Sequence, residues 1–408
     1  MSELSRRERN RALAKQSAMP AFEPVPRHAK LSKRNPAGTI VGFVAAALSV
    51  LLVSTAAVGS VVWNSFSRPL AANAIVLDDT PPPPPNIGAI DGGFNMLLVG
   101  SDSRVGQGGL GGEDEGARLN DVNILIHVAQ DQQSAVVVSF PRDLEVELPE
   151  CARWFGYVNK LNTAYYENGL PCVVETIENL TGVDIPYAAV VEFRGVVNLS
   201  DAIGGVDVCI DGPIDDPDSG AYFPEAGTYT LQGEQALAFL RTRKGVGDGS
   251  DLGRISSQQV FLSSLVRKIK SEDTLGNPGR VFALAQAAVD NLQLSSGLAD
   301  PYSLAQLALA VKDIPLDRVT FVQYPTYYTG NGNVAPVQWA ADELFSYIIA
   351  DQPFVLSAVG DDRASVPDPN APPPDPATQP EVDNSGLPVA QGVTGQTAAD
   401  YTCSVSNY

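Results

Sequence analysis

The chain has 408 residues, 44 % hydrophobic and 18 % charged, with a formal net charge of −20. That length suits one large domain or two ordinary ones. So acidic a balance argues against a nucleic-acid binder, which needs a basic face. The charge is also unevenly placed. Residues 1–36 hold nine Lys/Arg against Glu3, Glu8 and Glu23, a net +6 that leaves −26 on the remainder.

In chain order, residues 1–36 read as a basic cytoplasmic arm. Residues 37–63 contain no charged side chain, and at ~1.5 Å per residue a helix there reaches roughly 40 Å. The hydrocarbon core needs about 30 Å, so the segment is expected to span a membrane as a signal anchor. Lys33 and Arg34 put the N-terminus inside, and Trp63 falls at the outer interface. A cleaved signal peptide is the alternative, but its apolar region runs to only about 7–15 residues. Residues 64–90 form a Pro-rich extracytoplasmic linker in which Pro81 to Pro85 make a stiff spacer.

Three apolar runs follow that read as strands. Phe94 to Val99 leads into Gly100-Ser101-Asp102-Ser103-Arg104, Val122 to Ala129 starts after Asp121, and Ala135 to Phe140 ends at Pro141-Arg142-Asp143. Antiparallel pairing with fold-backs near residues 111 and 131, both turn-like, gathers Asp102, Asp121 and Arg142 at one end of a sheet. Two acids and a guanidinium suit a divalent metal holding phosphate oxygens. The plainer alternative is that each acid caps a turn and Arg142 makes a surface ion pair. The intervening loop, Gly106 to Gly116, lacks a Gly-Lys-Ser/Thr ending and carries Glu113, Asp114 and Glu115, so it reads as a mobile flap and not as a nucleotide cradle.

Beyond residue 143 the pattern is mixed. Cys172 to Leu180, Phe193 to Ile203, Glu234 to Leu240, Ile255 to Lys270, Val281 to Leu292, Ser303 to Val311 and Gln338 to Ala350 read as helices, with strands at Tyr187 to Glu192 and Val319 to Tyr324. The expected fold is a layered α/β/α domain on a mixed, partly antiparallel sheet over residues 91–355. Residues 356–408 read as a Pro-rich, largely disordered tail ending at Cys403, with Pro367 to Pro388 the clearest stretch.

Four cysteines lie on the exported side, where disulfides persist. Cys151 and Cys172 flank a short segment that is cheap to close, which leaves Cys209 for Cys403; a buried free Cys209 with an exposed Cys403 thiol is the alternative. The absence of Cys-X-X-Cys and the presence of only His28 and His127 argue against zinc.

Arg241 and Arg243 sit about 200° apart on a continuous helix. They serve one anion only if the helix ends there, as Gly245, Gly247 and Gly249 suggest. Arg254 then opens the next helix and returns to the same place. Three guanidinium forks suit a diphosphate; ion pairs with Asp248 and Asp251 are the alternative.

Seven words in order carry a resemblance: V-G-S-D-S-R (99–104), N-D-V-N-I-L-I-H-V (120–128), S-F-P-R-D (139–143), K-L-N-T-A-Y (160–165), D-A-I-G-G-V-D-V (201–208), G-E-Q-A-L-A-F-L-R-T-R (233–243) and G-S-D-L-G-R-I-S-S-Q-Q (249–259). Together they resemble the LytR-CpsA-Psr family over roughly residues 91 to 350. The resemblance implies a membrane-anchored phosphotransferase, single-pass, with its N-terminus cytoplasmic and its catalytic domain extracytoplasmic. Such an enzyme moves a glycan phosphate from a polyprenyl-diphosphate-linked donor to a sugar hydroxyl of peptidoglycan. It implies Asp102, Asp121 and Arg142 as catalytic residues and Mg²⁺ on Asp102 and Asp121. Arg104, Arg142, Arg241, Arg243, Arg254 and Gln258 would bind the diphosphate, and an apolar tunnel between sheet and helices would hold the lipid. Either aspartate is also placed to accept the hydroxyl proton. A polyprenyl-diphosphate hydrolase and a non-catalytic carrier-lipid sensor are the rival readings. Two departures stand out. The family's common form has an arginine two residues before the aspartate matched to Asp121, whereas Arg118 lies three before it. Many members also have arginine where Ser257 stands.

Overall fold

Alternating apolar residues bring three strands together, β1 (Phe94–Ser101), β2 (Asn120–Val128) and β3 (Ala135–Phe140), as an antiparallel meander. The computed structural model describes residues 60, 63–77, 92–103, 110, 118–360, 363–372, 384 and 386–407. The basic arm, nearly all of the expected membrane span, the Pro81 to Pro85 spacer, Arg104 and nearly all of the Gly106 to Gly116 loop lie outside the described residues. Among the described residues no helix is long and apolar enough to cross a membrane.

The β2–β3 register pairs Asn123 with Phe140 and Val128 with Ala135. Continued outward, it sets Asp121 opposite Arg142, as the turn at Gln130 to Gln133 requires. The β1–β2 pair departs from expectation. Gly100 faces Val122, but Ser101 faces Asn120, so the register slips at this end. Asp121 is the extra residue of a bulge, a device that re-aims a side chain. Asp102 therefore does not face Asp121 along the ladder; its backbone N–H donates to the Leu119 carbonyl at 3.2 Å. Gly100 permits the close approach here, since a Cβ on it would stand 2.8 Å from that of Val122.

A short hairpin follows, β4 (Glu145–Glu147) and β5 (Val158–Lys160), then helix α1 (Leu170–Thr181). Strand β6 (Tyr187–Val191) runs parallel to β1 and leads into α2 (Phe193–Ala202). Strands β7 (Val206–Ile210) and β8 (Gly227–Leu231) pair antiparallel before α3 (Gly233–Arg241), α4 (Asp251–Lys270) and α5 (Pro278–Asn291). Then come β9 (Leu292–Leu294), α6 (Pro301–Lys312), β10 (Val319–Gln323) and α7 (Gln338–Ile349). Three late strands are β11 (Ser365–Pro367), β12 (Gly395–Thr397) and β13 (Thr402–Ser404).

The main sheet has the order β9-β6-β1-β2-β3-β10-β12. On one face Leu97, Val99, Leu125 and Val138 pack against α1 and α7, and all four are fully buried. On the other face α4, α5 and α6 contribute Leu262, Val266, Val289, Leu304 and Leu307. The expected α/β/α layering on a mixed sheet is present. The two faces are filled unequally. Phe94, Met96 and Leu98 alternate with sealed residues of β1 yet are only half-buried, as are Val122, Ile126, Leu262 and Val266.

A second sheet, β8-β7-β13-β11, corrects the expectation of a largely disordered tail. The described residues after 385 form strands: β12 pairs antiparallel with β10, and β13 pairs parallel with β7 at Cys403 opposite Cys209. These strands are too short to show periodicity and owe their form to partners distant in sequence. The domain therefore continues well past residue 355. Both expected disulfides are present, with Cα separations of 5.9 Å for Cys151–Cys172 and 4.4 Å for Cys209–Cys403. Replacing Cys151 and Cys172 by serine is expected to cost about 2–4 kcal/mol in urea unfolding. Cys403→Ser should leave β1 to β6 intact while exposing residues 386–407 to limited proteolysis; equal resistance in both forms would deny the bond that role.

Candidate active site

The strand ends gather alternating charges. Arg142, one residue past β3 and Pro141, donates from Nη1 to Asp121 Oδ2 at 2.8 Å. Its backbone N–H donates to Asp251 Oδ2 at 3.2 Å, and its Nε lies 3.6 Å from Asp251 Oδ1 and 3.7 Å from Asp143 Oδ2. Asp251 opens α4, where Ser250 caps the helix by accepting from the Gly253 N–H, and one turn later comes Arg254. The Arg254 Nη2 lies 2.6 Å from Asp251 Oδ1 and donates to the Asp121 carbonyl at 2.8 Å. Lys160 Nζ completes the ring on Asp143 at 2.7 Å. Burial works against the charge of Arg142, but Asp121, Asp251 and Asp143 outweigh it and raise its pKa. This guanidinium is a fixed cation on a rigid mount.

Arg243 is held differently. Helix α3 stops at Arg241, and Thr242 is extended with φ −63° and ψ 135°. The break sends the two arginines apart. Arg241 lies over the Phe193 ring, 4.6 Å from its centroid, a cation–π contact. Arg243 turns toward the other cations: its pKa is lowered by burial first and then by Arg142, with Arg254 adding to the effect. Among the described residues its buried Nε has no hydrogen-bond partner. A half-buried cation beside cations calls for an anion.

Asp216 fixes this break. It accepts from the Thr242 hydroxyl at 2.7 Å, the Arg243 N–H at 3.0 Å and the Asp218 N–H at 3.1 Å. Burial pushes its carboxyl up, but these hydrogen bonds prevail and hold it below the usual carboxylate range. With the folded-state pKa depressed, its stabilising effect is complete above about pH 4 and is lost only as pH falls through the lowered value. Asp216→Ala is expected to reduce turnover roughly tenfold to a hundredfold by releasing Arg243, as loss of supporting partners does at other sites. Wild-type turnover in that variant would show that Arg243 needs no such support.

Of the residues expected from sequence, Asp121, Arg142 and Arg254 meet directly, and Arg243 joins them electrostatically. Asp102 Oδ1 accepts from the Leu119 N–H at 2.8 Å, tying the strand ends together. Gln258 supports rather than lines the site: its Nε2 donates to the Leu240 carbonyl at 2.8 Å and so holds the end of α3. Sequence reasoning missed Asp143, Lys160 and Asp216 altogether. It met Asp251 only as a possible ion-pair partner for the arginines. It also missed Asn120, which is fully buried and donates to Asn123 Oδ1 at 2.7 Å and Leu161 O at 3.1 Å while accepting from the Tyr165 N–H at 3.1 Å. The available signal was polar Asn-Asp-x-Asn at the head of an apolar strand. A cavity of about 270 Å³ lies at the opposite strand ends, around His127 and Asp351, away from these arginines.

A match to the LytR_cpsA_psr family extends over residues 73–346, well over half the chain. The chain belongs to this family. It is 34 % identical over 279 residues to the cell wall biosynthesis protein LcpA of Corynebacterium glutamicum, covering 60 % of this chain and 52 % of that one. The chain thus spans about half the length of that relative. It is 28 % identical over 236 residues to TagT of Bacillus subtilis, named a polyisoprenyl-teichoic acid–peptidoglycan teichoic acid transferase, over 57 % of this chain and 69 % of that one. Among solved structures, the LytR-Csp2A-Psr enzyme from Actinomyces oris superposes with a TM-score of 0.52 at 20 % identity, covering 65 % of this chain and 95 % of the other. TagT bound to LI-WTA gives 0.50 at 22 %, covering 68 % and 98 %. These likenesses show the LytR-CpsA-Psr fold. Strands β11 to β13 lie beyond the matched residues.

Proposed function

We propose that this chain is a membrane-anchored transferase that moves a glycan phosphate from a polyprenyl-diphosphate-linked donor to a sugar hydroxyl of peptidoglycan. The observation that carries the reading is the cluster of Arg142, Arg243 and Arg254 around two buried-side acids, with the Nε of Arg243 unpartnered among the described residues. Guanidinium forks match phosphate oxygens and keep their charge. The half-buried row of Phe94, Met96 and Leu98 beneath α5 and α6 supports a lipid tail on that face. The uncharged residues 37–63 support the anchor, and the names of the relatives support a cell-wall glycopolymer and peptidoglycan as the substrates.

In the transfer, the acceptor hydroxyl oxygen attacks the phosphorus bearing the glycan. The bond from that phosphorus to the polyprenyl phosphate breaks, and polyprenyl phosphate leaves. Arg142, Arg243 and Arg254 neutralise oxygens whose charge rises along this path, the usual main contribution in phosphoryl transfer. Asp121 Oδ1 is buried without a hydrogen-bond partner among the described residues, which fits a carboxylate awaiting a hard cation. Asp121 and Asp102 are the residues that would hold Mg²⁺, which when bound withdraws charge from the diphosphate. Where only one of the two holds the ion, the other is the acceptor for the hydroxyl proton.

Mixing the protein with a polyprenyl-diphosphate-linked glycan and uncross-linked peptidoglycan is expected to give phosphodiester-linked product with one polyprenyl phosphate per transfer. Release of free glycan phosphate at the same rate with and without acceptor would mark a hydrolase. No release at all would mark a binding protein and end the reading.

A further inference from the structure

Four aromatic side chains stand in solvent around the far end of the β4–β5 hairpin and just after the turn that follows it: Trp154 (67 % exposed), Tyr157 (52 %), Phe155 (45 %) and Tyr166 (38 %). Trp154 and Phe155 end the short 3-10 turn Glu150–Phe155, Tyr157 precedes β5, and Tyr166 follows the turn Leu161–Thr163. They form one unit. The Tyr166 ring meets Phe155 edge-on at 4.9 Å between centroids and lies 6.4 Å from Trp154, while the Arg153 guanidinium sits 4.8 Å over Tyr157.

The unit is also rigid. The Cys151–Cys172 bond ties it to α1. Leu148 N–H donates to the Tyr157 carbonyl at 2.8 Å, Asn159 Nδ2 to the Phe155 carbonyl at 3.0 Å, and the Tyr157 hydroxyl to Glu147 at 2.5 Å. Rings left in water add little to a core, so a fixed aromatic patch rimmed by polar groups points to something that covers it.

The patch is continuous with the chemistry. The β4–β5 register pairs Glu145 with Lys160 at one end and Glu147 with Val158 at the other. Lys160 grips Asp143 beside Arg142, and Tyr157 lies beyond Val158, roughly 10 Å away at ~3.3 Å per residue. Asn162, four residues before Tyr166, donates its N–H to the Arg142 carbonyl at 3.0 Å. An occupant of the patch that extends along β5 comes within reach of the phosphate site. The rim is acidic, with Glu147, Glu150 and Glu167 exposed, which disfavours an anionic membrane surface. A sugar ring fits: its C–H face carries partial positive charge and meets the negative face of an aromatic ring, while its hydroxyl and amide groups find the carboxylates, Arg153 and Asn168 at the rim.

We propose that this aromatic platform binds the acceptor glycan strand and delivers its hydroxyl to the phosphate held at Arg142 and Arg243, an inference that rests on the transfer reading above. The test uses the full chain with Trp154→Ala, Tyr166→Ala, the ring-preserving Trp154→Phe, and Trp339→Ala, which removes another exposed ring on α7. The probes are uncross-linked peptidoglycan chains and the N-acetylglucosamine tetramer, titrated by calorimetry. Wild type, Trp154→Phe and Trp339→Ala should bind both probes alike. Trp154→Ala and Tyr166→Ala should each bind roughly tenfold more weakly, as truncation of an interface anchor does. In transfer assays these two should raise the KM for acceptor and leave that for donor unchanged. Binding by neither probe in wild type, or equal binding in all variants, overturns the platform. Unchanged acceptor KM alongside normal transfer also overturns it and leaves the transferase reading standing. Lost binding in the alanine variants with no transfer by wild type keeps the platform and rejects the transferase.

Discussion

Asp121→Ala is expected to lower glycan transfer by a factor on the order of 10² or more, with the domain still folded. The residue stands in a bulge at a strand end and packs no core. Arg142 retains Asp143 and Asp251 within 3.7 Å when Asp121 is gone, so no buried cation is stranded. Turnover of purified wild type should fall on chelation and recover with Mg²⁺, while the small residual rate of the variant stays insensitive to both. Asp121→Asn separates shape from charge: it keeps the volume and one acceptor for Arg142, yet should lose most of the same activity. Full activity in Asp121→Ala, or wild-type turnover indifferent to chelator, would reject a metal at this carboxylate.

Arg142→Lys is expected to fail almost as completely as Arg142→Ala. Arg142 reaches Asp121 through Nη1 while its Nε lies against Asp143 and Asp251, and an ammonium cannot span those directions and still present a fork to phosphate. The position also carries two backbone hydrogen bonds that lysine or alanine there would keep, from its N–H to Asp251 and to its carbonyl from the Asn162 N–H. The loss should therefore appear in turnover and in donor binding, with the thermal midpoint shifted by only a few degrees. Equal polyprenyl-phosphate binding by Arg142→Ala and wild type would reduce Arg142 to an ion-pair partner.

Local pattern made much of this architecture legible. The helices lie within a few residues of where apolar spacing puts them, and the β2–β3 register follows directly from the position of a polar turn. The β1–β2 register does not, because a one-residue bulge leaves no trace in hydrophobic alternation. Charge identity pointed to Arg142, Arg243 and Arg254, which lie on strand or helix ends. Asp216 escaped because its value lies in meeting Thr242 and Arg243 from 26 and 27 residues away, a relation that exists only after folding. Strands β12 and β13 were misread for the same reason: a three-residue strand is specified by its neighbours.

The order of the second sheet sets the order in which the domain can be finished. Strand β7 has β8 on one side and β13 on the other, and β13 arrives 194 residues later in sequence. A chain emerging from its N-terminus can complete the main meander early, but β7 keeps an open, apolar-backed edge until residue 404 is available. Open edges recruit foreign strands. Val206 and Val208 are fully buried in the finished fold, so the waiting edge is sticky as well as unpaired. The Cys209–Cys403 bond then acts as a latch on a closure that local contacts cannot hurry. Cutting the protein at the boundary of its family resemblance would leave that door permanently ajar.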